Sequence, residues 1–317
     1  MNIKTLRYCC FILLLASALA SCSGNKLALK LVGNALSSTA SGTALTGDDD
    51  PELVGDALPF ALKLYEILIE KGSDNPGLYL AAGSGFIMYS NAFVQGPAEL
   101  LPDQEFEKKE KMIVRSKKLY LRGRDYVLQG IELKHSGFAK SLDNGTLHDL
   151  LASMKADDVP YLYWAGAGWM AAYAADPFDV GVGVGVRNAA AMMEAALGLD
   201  EAFGGGSIHE FFISYYGSLP QSMGGSEEKA RHHFKRAVEL SKGLKASPYV
   251  ALASTVSVKN QNMKEFVELL NRALAVDVSE KTDTRLANIL AQRKARWLLE
   301  HRDDRILSDT PKGVKKK

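Results

Sequence analysis

The sequence predicts an all-α fold, an α-solenoid or helical bundle of cryptic helix pairs, on three observations. From Pro51 onward apolar residues recur at spacings of three and four, as in Leu58, Leu62, Tyr65 and Leu68, the period of an amphipathic helix. Strand-like alternation is almost absent. One pattern of small and large residues also repeats. Ala230, Phe234, Ala237 and Leu240 fall on Phe266, Leu270, Ala273 and Val276 at an offset of about 36 residues. A third copy, Ala189, Met193, Ala196 and Leu199, lies about 41 residues before the first.

The elements follow in order. Residues 1–21 have the form of a secretion leader: Lys4 and Arg7 open it, and FILLLASALA is apolar but too short to span a bilayer with ordinary flanks. LASC, Leu19 to Cys22, resembles the bacterial lipobox, in which the Cys thiol is acylated and becomes the new N-terminus. Cys22 is therefore the expected lipidation site and membrane anchor. Of the three Cys, Cys9 and Cys10 lie in the leader, so the mature chain keeps no pair for a disulfide and no spare thiol for catalysis. Residues 22–50 read as the lipidated Cys and a tether poor in large apolar side chains. The helical domain is expected over 51–303 and a short basic tail over 304–317.

Within the domain, DDDPELV carries helix-start chemistry: acidic side chains accept free backbone N–H groups, and Pro51 suits the first turn. An acidic triplet can also take Ca²⁺. Expected first helices of the pairs are Leu78–Val94, Val159–Ala175, Ser207–Leu219 and Pro248–Asn260. A further second-type helix is Glu105–Leu133, with Ser116, Tyr120 and Gly123 at the repeat spacing, and Thr284–His301 would cap the stack. DVGVGVGVRN alternates, but every second residue is Gly, which makes a poor strand and reads as a loop. The Ala-x3-Phe-x2-Ala spacing resembles the second helix of a tetratricopeptide repeat: small residues let the neighbouring helix approach, and the larger one fills the groove.

The composition excludes some functions. The chain has 38 Lys+Arg against 37 Asp+Glu; without Lys4 and Arg7 the balance is close to neutral, which leaves no basic field for nucleic acid. His209-Glu210 lacks the second His of a zincin, and His232 and His233 fall on a repeat helix as surface or interhelix residues. The Gly spacing of GVGVGV fits no phosphate cradle, and Ser84 in AGSGF lacks the flanks of a nucleophile elbow. No enzyme, cofactor or metal is expected. Two aromatic clusters invite a binding reading. YLYWAGAGWMAAY places Tyr163, Trp164 and Trp169 on one helix with small residues between, as either a packed core helix or the lining of an apolar cavity. HEFFISYYGSLPQSMGG places Tyr215 and Tyr216 before a helix break, as a pore rim or a satisfied buried pair.

Several long stretches together resemble the TatT component family, lipoproteins associated with TRAP transporters: DDDPELVGDALPFALKLYE, RSKKLYLRGRDYVLQGIE, VPYLYWAGAGWMAAY, IHEFFISYYGSLPQSMGG, ARHHFKRAVELSKG and RLANILAQRKARWLL. The similarity runs from about Asp48 to Leu299. It implies a fold of cryptic tetratricopeptide repeats, a TRAP-type periplasmic solute-binding protein as partner, and a path or pore for a small ligand; GVGVGV departs from the family's more polar linker. The expected function is that of a periplasm-facing envelope lipoprotein assisting uptake of a small hydrophobic or organic acid ligand, with the outer membrane slightly favoured because Ser23 carries no acidic retention signal. Self-association into a homo-oligomer fits exposed solenoid ends. A general scaffold for envelope assembly, without a small ligand, is the alternative; a lipid-anchored hydrolase is a third.

Overall fold

The computed structural model describes residues 43–307. The leader, Cys22, the tether up to residue 42 and the tail from residue 308 lie outside the described residues. Among the described residues every regular element is a helix.

After a single turn, α1 (Thr43–Thr46), helix α2 (Pro51–Glu70) starts where the acidic run predicts. Asp50 accepts the Leu53 N–H at 3.0 Å and Pro51 takes the first turn. The buried face of α2 is Leu58, Leu62, Tyr65 and Leu68, and it lies on α3 (Pro76–Ser90). Helix α3 buries a run of small residues, Ala81 to Gly85, against the long α5 (Phe106–Lys134). The approach is so close that a Cβ on Gly123 of α5 would stand 2.6 Å from the carbonyl oxygen of Gly83. Between α3 and α5 the chain makes a π-helical turn (Asn91–Gln95) and the short α4 (Gly96–Glu99). Two short helices, α6 (Phe138–Asn144) and α7 (Leu147–Leu151), lead to α8 (Val159–Ala175), which packs on α5.

The GVGVGV segment corrects one expectation: it is not a loop. Val180–Val184 forms a short helix, α9, running into α10 (Val186–Leu199). Glycine has poor helix propensity, but fixed neighbours override it here. Asp179 accepts the Val182 N–H at 3.1 Å, and the Trp169 indole donates to the Val182 carbonyl at 3.0 Å. The rest of the array is α11 (Ser207–Ser218), α12 (Glu227–Leu240), α13 (Ser247–Leu252) with a second π-helical turn (Ala253–Ser257), α14 (Met263–Leu274), α15 (Arg285–Glu300) and the last turn α16 (Arg302–Arg305).

Most repeat positions are buried, and Leu199, Phe234, Leu240 and Val276 are half-buried. Ala189, Met193 and Ala196 in α10, Ala230 and Ala237 in α12, and Phe266, Leu270 and Ala273 in α14 are all buried, as are Ser116, Tyr120 and Gly123 in α5. Three apolar clusters follow one another along the stack, around α2–α3, then α5–α8–α10–α11, then α11 to α15. Each fully buried Phe, Leu or Ile contributes about 1.5–3 kcal/mol by leaving water. Ile306, beyond α16, belongs to the last cluster.

Successive long helices run antiparallel, so their connections gather at two rims. Residues 91–105, 176–185, 219–226, 258–262 and 301–307 form the first rim. Lys259 there donates to the Leu219 carbonyl at 3.1 Å, and Gln261 to that of Arg305 at 3.4 Å. Residues 135–158, 200–206, 241–246 and 275–284 form the second, where Asn288 donates to the Leu244 carbonyl at 2.9 Å. Helix α1 also lies at the second rim, beside Thr282–Thr284, and Arg285 donates to the Gly47 carbonyl at 3.2 Å.

Candidate functional site

The predicted aromatic residues fall into two seams on the largest apolar cluster. On α8, Tyr163 and Trp164 are half-buried and meet edge to face with centroids 5.1 Å apart; Tyr163 also meets Phe203 at 5.1 Å. Burial, and next the carboxylate of Glu210, push the Tyr163 phenol well above its ordinary pKa, so its hydroxyl stays protonated. On α11, Tyr215 and Tyr216 are half-buried and perpendicular, 5.1 Å apart, and continue into stacks with Phe211 and Phe212.

Trp169 takes different partners from both pairs. It is buried, donates to Val182, lies under the Arg124 guanidinium at 4.6 Å, and faces Gly185 so closely that a Cβ there would enter the indole ring. Its contacts hold α9 to α8. A surface groove of about 630 Å³ at the start of α5, lined by Gln104, Phe106, Lys108, Lys111, Met112 and Arg115 among others, includes none of the five predicted aromatics.

One cluster was not foreseen. His209 of α11 and His233 of α12 face each other with Nδ1 atoms 2.8 Å apart, both buried, and His233 stacks on Phe212 and Tyr216. One ring must donate and the other accept, so the pair requires opposite tautomers. Glu201 Oε1 lies 3.2 Å from His209 Nε2 but off the line of a hydrogen bond, so this nitrogen has no aligned partner. Burial, and next the His209 charge, push His233 down to about 4; burial lowers His209 despite the opposing pull of Glu201. Sequence separation hid the pair: its members lie on facing helices, and no linear spacing joins them.

Among the described residues no helix is long and apolar enough to cross a membrane, and no group of three or more His, Cys, Asp or Glu side chains is placed to hold a metal ion. The capping reading of Asp48 to Val54 has direct support in the Asp50–Leu53 bond.

Stacked antiparallel helix pairs, close small-residue contacts at repeat positions and continuous aromatic seams define a tetratricopeptide-like repeat protein, a class whose broad surfaces serve binding. The pattern of the TRAP transporter T-component family matches residues 47–305, and the chain belongs to that family. Membership associates it with TRAP transporters as a transport component. The chain is also similar to an uncharacterized protein of Treponema pallidum (strain Nichols), 34% identical over 322 residues that cover 97% of this chain and 100% of that protein.

Proposed function

We propose that the chain is a periplasm-facing envelope lipoprotein, held through acylated Cys22 with the outer membrane favoured, whose helix-pair body binds the solute-binding protein of a TRAP transporter. It assists uptake of a small hydrophobic or organic acid ligand and carries out no covalent chemistry. The observation that carries this reading is the family match, which spans nearly all of the described body. The aromatics Tyr163, Trp164, Trp169, Tyr215 and Tyr216 are the candidate ligand contacts, the buried Trp169 being the least accessible of them. Self-association of the body is compatible with the same role.

Affinity purification of the full chain from envelope extract, with mass spectrometry of proteins and small molecules, tests the reading. Recovery of a TRAP-type solute-binding protein together with an organic acid or hydrophobic ligand supports it. Recovery of cell-wall or secretion machinery, without any solute-binding protein, moves the function to an envelope scaffold. Fatty-acid labelling that persists in Cys22→Ala would refute the anchor.

A further inference from the structure

Large exposed apolar side chains are unevenly placed. Leu53, Phe106, Phe178, Val180, Val184, Met223 and Leu307 all stand at or beside the first rim, whereas Ile67 and Leu133 stand beside the second and Phe60 and Val114 lie along helix faces. The densest group is the knuckle between α8 and α10, where Phe178 is 93%, Val180 79% and Val184 77% exposed.

This knuckle is held firmly for so Gly-rich a segment. Lys117 of α5 donates to Asp176 at 2.8 Å and to Asp179 at 2.5 Å. Asp179 caps Val182, Trp169 grips the Val182 carbonyl, and Gly185 admits the indole face. Three Gly residues would gain much backbone entropy if released, and several fixed partners oppose that. The anchors bury Val182 and leave Phe178, Val180 and Val184 in water, an arrangement that has a use only when something covers them.

Two observations select a protein rather than a lipid surface. The knuckle's carboxylates are matched by Lys117, leaving Arg187 as the one further cation in the segment, far short of the basic cluster by which an anionic bilayer holds an apolar tip. The described chain also begins at Thr43 on the second rim, so the segment leading from Cys22 joins the body at the end opposite the knuckle. Helix α8 separates the two rims by about 25 Å.

We infer that the Phe178–Val184 knuckle is the surface on which the TRAP solute-binding protein docks, through an apolar and weakly charged patch of its own. The inference rests on the partner assigned under the proposed function. Full chain in mild detergent, titrated calorimetrically with the purified TRAP-type solute-binding protein of the same organism, gives the test. Phe178→Ser/Val184→Ser, and separately Val180→Lys, are expected to weaken binding about tenfold or more while helicity and melting temperature stay unchanged. Leu133→Ser, near the other rim, is expected to change the affinity less than twofold. Wild-type affinity that both knuckle variants retain overturns the docking surface and leaves the proposed function standing. Absence of binding by the wild-type chain overturns both. Knuckle variants that bind the protein normally but lose binding to phosphatidylglycerol vesicles, in a Cys22→Ala background, overturn it in favour of lipid.

Discussion

Arg293 grips both oxygens of Glu52, at 2.6 and 3.1 Å, across 241 residues of sequence. The first long helix and the last are thereby in contact. One residue on, Lys294 ties the last helix to α4, reaching Glu99 at 2.7 Å, and Glu99 also accepts from Gln95, which in turn accepts the Tyr120 hydroxyl at 2.6 Å. A polar line therefore runs from the α5 core to the last helix.

The Glu99–Lys294 pair is the part of this contact with measurable worth. Burial opposes ionisation of Glu99, but Lys294 and Gln95 outweigh it and hold the carboxyl below its ordinary value. Lys294→Met should destabilise by about 1–2 kcal/mol, discounted from a fully buried pair because Lys294 is partly solvated. Adding Glu99→Gln should recover part of that loss. Urea denaturation at pH 7 decides it. The pair's contribution holds above the ordinary Glu value of 4.5 and fades as pH falls below it.

Gly185→Ala should be among the most damaging single-methyl changes in the chain. The new Cβ would overlap the Trp169 ring, so α9 must lift away and the Trp169–Val182 bond must open. A loss of about 2–3 kcal/mol is expected, with a red shift of tryptophan emission. Unchanged emission and stability would show that the segment can move aside freely.

The His209–His233 pair should make the protein acid-sensitive. Both rings have folded pKa values below the ordinary 6.5, His233 near 4. The unfolded chain therefore binds protons that the folded chain rejects, so stability is complete above pH 6.5 and falls as pH drops through the 6.5 to 4 window. The rings face Glu201, Arg236, His232 and Lys229, and only Glu201 among these favours the charged form. His233→Phe keeps the stack on Phe212 but strands His209. It should cost about 1–2 kcal/mol at pH 7.5 and flatten the slope between pH 6.5 and 5, read from melting temperatures.

The two N–H groups of the Gln292 amide are shared among three carbonyls at the end of α14, Ala273 and Leu274 at 3.2 Å and Val276 at 2.8 Å. These are among the acceptors a helix end leaves without partners. Gln292→Leu should therefore destabilise by about 1–3 kcal/mol despite its better hydropathy. A neutral result in thermal denaturation would mean that water serves those carbonyls equally well.

Much of the fold was legible because local signals agreed. Val159–Ala175 was bounded correctly by the Pro at its second position and its unbroken apolar run, and eight of the twelve repeat residues are buried where the spacing puts them, while Leu199, Phe234, Leu240 and Val276 are half-buried. The π-helical turns at Asn91–Gln95 and Ala253–Ser257 left no mark in the sequence, since one extra residue per turn breaks no composition rule. The GVGVGV helix was missed because its stability lies in Trp169 and Asp179 rather than in its own residues. Of the site, the Tyr163–Trp164 and Tyr215–Tyr216 pairings were readable from adjacency, whereas the His209–His233 contact and the contact between first and last helices join residues far apart in sequence.

Most helix-pair arrays tolerate gene duplication, because each unit meets only its neighbours and one more copy merely lengthens the stack. The Glu52–Arg293 contact removes that freedom. An inserted or deleted unit would carry the last helix away from the first and undo both ion pairs together, so copy number here is a selected quantity. Variation among relatives should accumulate in exposed connections away from the knuckle rather than in the number of pairs.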